Sequence, residues 1–422
     1  MNMPIAFLAI VAFSMQISLA NDQWPWPHQM PRQEAFPDPL VMLDGTPIAT
    51  AHDWQARRKP ELRRLFQRYM YGRLPATPKS ITGKTLFEDR RAFGGRGILR
   101  EVEVTFGPPE WPKIYLLIAT PAGEGPFPCF VGANFPGNHQ FTENANVRIP
   151  AAWMRSGYVG VVKNRASAAG RAGQVDVWPL EEISARGYAT ATFYAGDVQP
   201  DRPSVREGMR ATLPESDGPG NPTEPSTLMW WAWGIHRAID HLAKDPAIDA
   251  SRIAVVGHSR MGQAALLAGA IDERIAVVIP HQAGCGGSAP SRTDDPRAER
   301  LDKINTVRPH WFCDYFKCFS AEPSRLPFDQ HCLVALCAPR PVLFTNAAED
   351  HNANPPGQFA VLKAATCVYE MLGEEGLTAE RMPAPGEPLI DSRLGYWIRA
   401  GEHAMTPADW TTYMDYADKW LK

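Results

Sequence analysis

Val255-Val256-Gly257-His258-Ser259-Arg260-Met261-Gly262 breaks an apolar run at a serine set between glycines. Ile253 to Val256 read as a buried strand, and Ala264, Ala265, Leu266 and Leu267 continue as a helix. A strand that turns sharply into a helix presents a serine oxygen at the carboxyl edge of a parallel sheet, and small flanking residues let the two elements approach closely. The usual spacing is Gly-x-Ser-x-Gly, whereas here the second glycine falls one place late, at Gly262. A capping serine in an ordinary tight turn would look much the same.

The flanking chain supports the first reading. Short apolar runs at Cys129 to Gly132, Tyr158 to Val162, Tyr188 to Phe193, Ile275 to Ile279 and Pro341 to Asn346 alternate with helical patterns. Such alternation implies a mostly parallel sheet covered on both faces. Pro60 to Met70 is helical in pattern, Leu99 to Phe106 and Tyr115 to Thr120 read as strands, and Thr227 to Ala243 carries an apolar stripe behind Pro225. The fold class expected is α/β, an α/β-hydrolase-like three-layer sandwich with long loops over the active-site edge. Those loops, rich in Pro, Gly and charge, span 196–223 and 284–327.

The chain has 422 residues, and its apolar opening, Pro4 to Ala20, turns polar at Asn21. Residues 1–20 read as a signal peptide cleaved near Ala20, so a secreted or periplasmic protein without stable membrane association is expected. Residues 21–422 then form a single catalytic domain, with a Pro- and Trp-rich wrap at about 21–60. The 43 basic and 46 acidic residues nearly cancel, which argues against nucleic acid as a partner. A monomer is expected. Seven cysteines without zinc spacing read as buried thiols, with one or two disulfides open.

A serine hydroxyl needs a histidine to take its proton and an acid to orient that histidine, in the chain order Ser, acid, His for this fold. Only His351 and His403 follow the strand at Pro341 to Asn346, whose exit loop holds Glu349 and Asp350. His351 adjoins Asp350 and is poorly placed to be oriented by it. His403 lies in a short loop before a final helix whose cap is Thr406, followed by Pro407. The expected constellation is therefore Ser259, His403 and Asp350, with Glu349 as alternative acid. The Arg260 N–H should face the oxyanion, with its guanidinium adding charge, and Asn134 to His139 is a second donor loop. No metal, nucleotide or other cofactor is called for.

With those residues in place the chain resembles the glucuronoyl esterases of carbohydrate esterase family 15, particularly the bacterial branch. The resemblance runs from about 36 to 422 and is carried by Asn134-Phe135-Pro136-Gly137-Asn138-His139, Trp231-Ala232-Trp233-Gly234, Gly257-His258-Ser259-Arg260, His310-Trp311-Phe312-Cys313 and Gly401-Glu402-His403. It implies hydrolysis of the ester between a lignin alcohol and the 4-O-methyl-glucuronic acid of xylan, so the partner is a polysaccharide or oligosaccharide ester. It places the acid of fungal members at Gln282, and that of some bacterial members at Asp350. Among the implied substrate-binding positions, Glu299 matches the family's sugar-binding glutamate. The family's lysine is Gln263 here and its tryptophan is Asn352. Those departures leave open an esterase for acetyl or methyl esters of another polysaccharide, or a catalytically weak glycan-binding homologue.

Overall fold

The computed structural model describes residues 24–422, apart from 204–205, 215–216 and 218–219. The signal-peptide reading of residues 1–20 lies outside the described residues. Eleven strands follow in chain order: β1 (Thr82–Arg91), β2 (Gly97–Thr105), β3 (Ile114–Pro121), β4 (Phe127–Asn134), β5 (Val161–Val162), β6 (Arg165–Ala166), β7 (Ala189–Tyr194), β8 (Ile248–His258), β9 (Ile275–His281), β10 (Val342–Ala347) and β11 (Leu394–Arg399). Nine of them make one sheet in the order β1-β2-β3-β7-β4-β8-β9-β10-β11. The first three steps are antiparallel, and every pairing from β7 to β11 is parallel.

The parallel strands read as near-continuous apolar runs because helices cover both faces. Ile253 to Val256 and Val277 to Ile279 are fully buried. One layer contains the helices Thr227–Leu242 and Arg260–Ile271, and the other contains Pro407–Leu421 against Val256, Ile279 and Leu343. Ser226 caps the first by accepting from the Met229 N–H at 3.2 Å, and Thr406 with Pro407 opens the last. Among the described residues no helix is long and apolar enough to cross a membrane.

The expected strand at Tyr158 to Val162 is not in the sheet. Val161–Val162 instead pairs with Arg165–Ala166 in an isolated hairpin, and Val162 is exposed. A short apolar run has no intrinsic claim on a sheet position unless tertiary packing supplies the partner. Two strands of the nine-stranded sheet escaped the sequence reading. β1 is an almost wholly exposed edge strand, so it shows no buried face, and β11 packs beside β10 with little flanking pattern. All seven cysteines are free thiols.

The leading segment is tied to the body by polar contacts. Arg292 donates to the carbonyls of Gln33 and Ala35, His331 contacts the Pro37 carbonyl at 2.7 Å, and Phe36 stacks on the His331 ring.

The late glycine of the β8 turn has a packing reason. A Cβ at Gly257 would stand 2.2 Å from the Met261 carbonyl oxygen, and one at Gly262 would stand 2.9 Å from those of Gly257 and His281. Both glycines are needed for the helix to close on the strand. Gly257→Ala should therefore cost about 1–3 kcal/mol, and Gly262→Ala less, because its clash is longer. Thermal or denaturant unfolding of the two variants checks that ranking.

Candidate active site

The parallel strands β4, β8, β9 and β10 deliver their following loops to one edge. Ser259 sits there with φ 57° and ψ −127°, a left-handed backbone that a β-carbon residue adopts only under constraint. Its N–H donates to the His281 carbonyl at 2.8 Å, which ties the turn to the end of β9. Arg260 is the first residue of the ensuing helix, so its N–H has no intrahelical partner and is free to serve an anion.

The Arg260 side chain is held on three sides. Its Nε lies 3.0 Å from Asp201 Oδ2, its Nη2 donates to the Tyr158 hydroxyl at 2.6 Å, and its guanidinium carbon stands 4.3 Å from the centre of the Phe135 ring. Asp201 in turn accepts from His310 Nε2 at 3.0 Å and Trp311 Nε1 at 2.7 Å. Burial alone would raise the Asp201 pKa, but His310, Arg260 and Trp311 outweigh it and hold the carboxyl below its ordinary value. The His310 pKa is lowered, mainly by burial, despite Asp201 beside it. We therefore assign a neutral imidazole donating to a carboxylate.

Across the edge, His403 Nδ1 lies 2.6 Å from Asp350 Oδ2. Asp350 is buried while the His403 side chain is 42% exposed, so the carboxyl is shielded and the imidazole is open to solvent. Glu349 is exposed and accepts from the Gly401 N–H at 3.3 Å, which steadies the histidine loop without touching the imidazole. Of the two candidate acids, geometry pairs Asp350 with His403. Ser259 Oγ is not hydrogen-bonded to His403; the ring of His258, next to the serine in sequence, lies 4.6 Å from that of His403. Serine–base contacts commonly tighten only when substrate binds. Burial, then His281 and His403, drive the His258 pKa well down, so no cation forms at His258 beside the His403 ring.

The histidine loop is pinned at the next residue. The Ala404 N–H donates to Gln282 Oε1 at 3.0 Å, while its carbonyl accepts from Arg399 Nη2 at 2.6 Å and contacts His281 Nε2 at 2.8 Å. Arg399 also donates to the Ala400 and Glu402 carbonyls.

Two expected substrate contacts are corrected. Gln263 is buried and spends both amide hydrogens on the carbonyls of Ala283 at 3.0 Å and Cys285 at 2.7 Å, leaving no donor for a sugar. Gln282, also buried, braces the Ala404 backbone instead of facing substrate. Glu299 and Asn352 lie side by side: the Glu299 N–H donates to the Asn352 carbonyl at 3.0 Å, and Asn352 is exposed. Burial raises the Glu299 pKa, Lys303 and Arg308 oppose that shift, and Asp350 and His403 also act on it.

A family description, Glucuronyl esterase, fungi, matches residues 186–373. The carbohydrate esterase MZ0003 of an unknown prokaryotic organism is 40% identical, covering 92% of this chain and 90% of its own. A promiscuous CE15 esterase from a marine bacterial metagenome superposes with TM-score 0.86 at 39% identity, covering 94% of this chain and 99% of that one. The chain belongs to carbohydrate esterase family 15. A glucuronoyl esterase from Solibacter usitatus is likewise similar, with TM-score 0.86, 33% identity, and coverage of 94% and 100%. As a family 15 protein the chain is a carboxylic ester hydrolase with the α/β-hydrolase fold.

Sequence reasoning missed Tyr158 and Arg399. Each acts through contacts set by tertiary folding; Tyr158 lies 102 positions from Arg260 and no local pattern marks it.

The ionised Asp201 should stabilise the esterase at neutral pH. Because its folded pKa is below the usual aspartate value, that contribution is present above about pH 4 and fades as pH falls through the folded value. Asp201→Asn should therefore lose about 2–3 kcal/mol of stability at pH 7 and unfold at a lower temperature than wild type, with the gap closing in acid. Thermal scans across pH check the sign.

Proposed function

We propose that this family 15 esterase hydrolyses the ester joining the 4-O-methyl-glucuronoyl group of a glucuronoxylan to a lignin alcohol. The observation that carries the chemistry is the 2.6 Å contact between Asp350 and His403 at the edge where Ser259 is presented. In this reading Ser259 Oγ attacks the ester carbonyl while His403 Nε2 takes its proton. Asp350 orients the imidazole through Nδ1 and stabilises the imidazolium that forms. The Arg260 N–H and guanidinium meet the oxyanion. Collapse breaks the bond to the alcohol, which leaves with the proton from His403, and the uronoyl group stays on Ser259. Water, deprotonated by His403, then releases the uronic acid.

A second reading keeps these residues and changes the acyl group to an acetyl or methyl ester of another polysaccharide. The engagement of the Gln263 amide with backbone carbonyls favours it, since the glucuronate ring then loses a donor. Glu299, with Asn352 beside it, is the remaining polar contact assigned to the sugar. We further propose that residues 1–20 export a monomeric, single-domain enzyme spanning 21–422, with no cofactor.

Wild type should hydrolyse benzyl glucuronate in preference to acetyl-xylan, and the reverse preference would select the second reading. Ser259→Ala should abolish turnover. Asp350→Asn should lower kcat by about 10³–10⁴ while Glu349→Gln stays near wild type; a normal rate for Asp350→Asn would move the role to Glu349.

A further inference from the structure

The edge that carries Ser259 continues past the proposed catalytic residues. Three connections end there beyond β4: the turn between β2 and β3, the long loop after β4, and the loop after β7. β3 runs antiparallel to β7, so its first residues lie beside the end of β7. Together these connections enclose a groove of about 620 Å³. In the sheet order β7-β4-β8, the end of β7 lies two strand spacings, about 10 Å, from the strand that delivers the serine. Gly196 lines both this groove and the small cavity against Arg260, so the two spaces adjoin.

Three half-buried aromatic residues line the groove, and protein backs each of them. Trp111 packs on Gly107, where a Cβ would stand 2.2 Å from the indole. Arg148 lies 3.6 Å from the centre of the Tyr115 ring, and Arg202 lies 5.2 Å from that of Trp153. The Trp153 backbone is anchored by the Tyr194 hydroxyl at 2.6 Å. Fixed aromatic rings of this kind offer apolar faces to flat ligands at little entropic cost.

The charges of the groove are largely spent. Arg202 is paired twice with Glu207, at 2.8 and 2.7 Å, Lys113 lies 3.4 Å from Glu103, and Arg165 donates to the Ala151 carbonyl. Lys163 and Arg165 keep their charge, but Glu110, Asp197 and Glu207 line the same groove, so its charge is of mixed sign and not a basic cluster for a polyanion. Asp197 differs: its carboxyl lines the groove without a hydrogen bond or ion pair to any described residue. Burial, against the opposing charge of Arg148, pushes its pKa up to about 7, so near neutral pH the group can both donate and accept. A part-buried carboxyl that faces a groove and is left unpaired by protein is open to a ligand or solvent partner.

We propose that this groove is a saccharide subsite that holds neutral sugar residues of the polysaccharide backbone, with Trp111 and Trp153 stacking on the rings and Asp197 bonding their hydroxyls. The inference rests on the carbohydrate-esterase reading above, and it explains how the enzyme would gain affinity for a polymer when Gln263 offers the sugar no donor. Binding energy gathered remote from the reacting bond can be used to position that bond.

The test separates the two claims. Xylohexaose and cellohexaose, which carry no ester, are titrated calorimetrically into the full-length protein and into Trp153→Ala, Trp153→Phe, Trp111→Ala and Asp197→Asn, and each variant is assayed on benzyl glucuronate. Wild type should bind at least one hexasaccharide saturably. Trp153→Ala and Trp111→Ala should each weaken it by up to about tenfold, and Asp197→Asn should weaken it less. Trp153→Phe should keep most of the affinity. kcat/KM on benzyl glucuronate should stay within about twofold of wild type. Absence of binding by both hexasaccharides, or equal affinity in Trp153→Ala, Trp111→Ala and wild type, overturns the subsite. Failure of wild type on benzyl glucuronate would count against the proposed acyl group while the calorimetry still decides the groove.

Discussion

Ser259 holds φ 57° and ψ −127°, and the site is built around keeping it there. A non-glycine residue in such a region costs about 1–3 kcal/mol, which the surrounding contacts must offset. They are few and specific: the Ser259 N–H on the His281 carbonyl, and the close approach allowed by Gly257 and Gly262. The same turn frees the Arg260 N–H at the start of a helix. One strained residue thus sets where the Ser259 hydroxyl is presented and where the Arg260 N–H faces.

The charges divide to either side of that turn. Asp350 is buried against His403, and among the described residues no arginine is ion-paired with it. Arg260 is a buried cation whose partner Asp201 is itself satisfied by His310 and Trp311. Removing one member of such a set leaves an uncompensated buried charge, which costs more than the pair contributes. The arrangement therefore specifies geometry more than it adds stability. Keeping His258 neutral completes the division, since a cation there would oppose protonation of His403.

Much of this was legible in the chain. The β8 turn, the helix after it, the acid loop after β10 and the Thr406-Pro407 start of the last helix are local patterns, and the structure places them as expected. Asp350 and Glu349 were not separable by sequence, because adjacent residues at a loop differ only in which way the backbone turns each side chain. Gln263 and Gln282 were misread for a related reason: a glutamine amide bonds carbonyls as readily as sugars, and the carbonyls of Ala283 and Cys285 come near only after folding. The isolated hairpin at Val161–Val162 and the exposed edge strand β1 show the same limit, since pairing partners decide them and periodicity does not.

We propose that Ser259 is the activated serine and that its reactivity depends on the Asp350–His403 pair. Reaction with a fluorophosphonate followed by peptide mass spectrometry tests it most directly. A single adduct should form on the peptide containing Ser259, and the labelling rate should fall by orders of magnitude in Asp350→Asn. An adduct on another residue, or labelling of Asp350→Asn at the wild-type rate, would contradict the account.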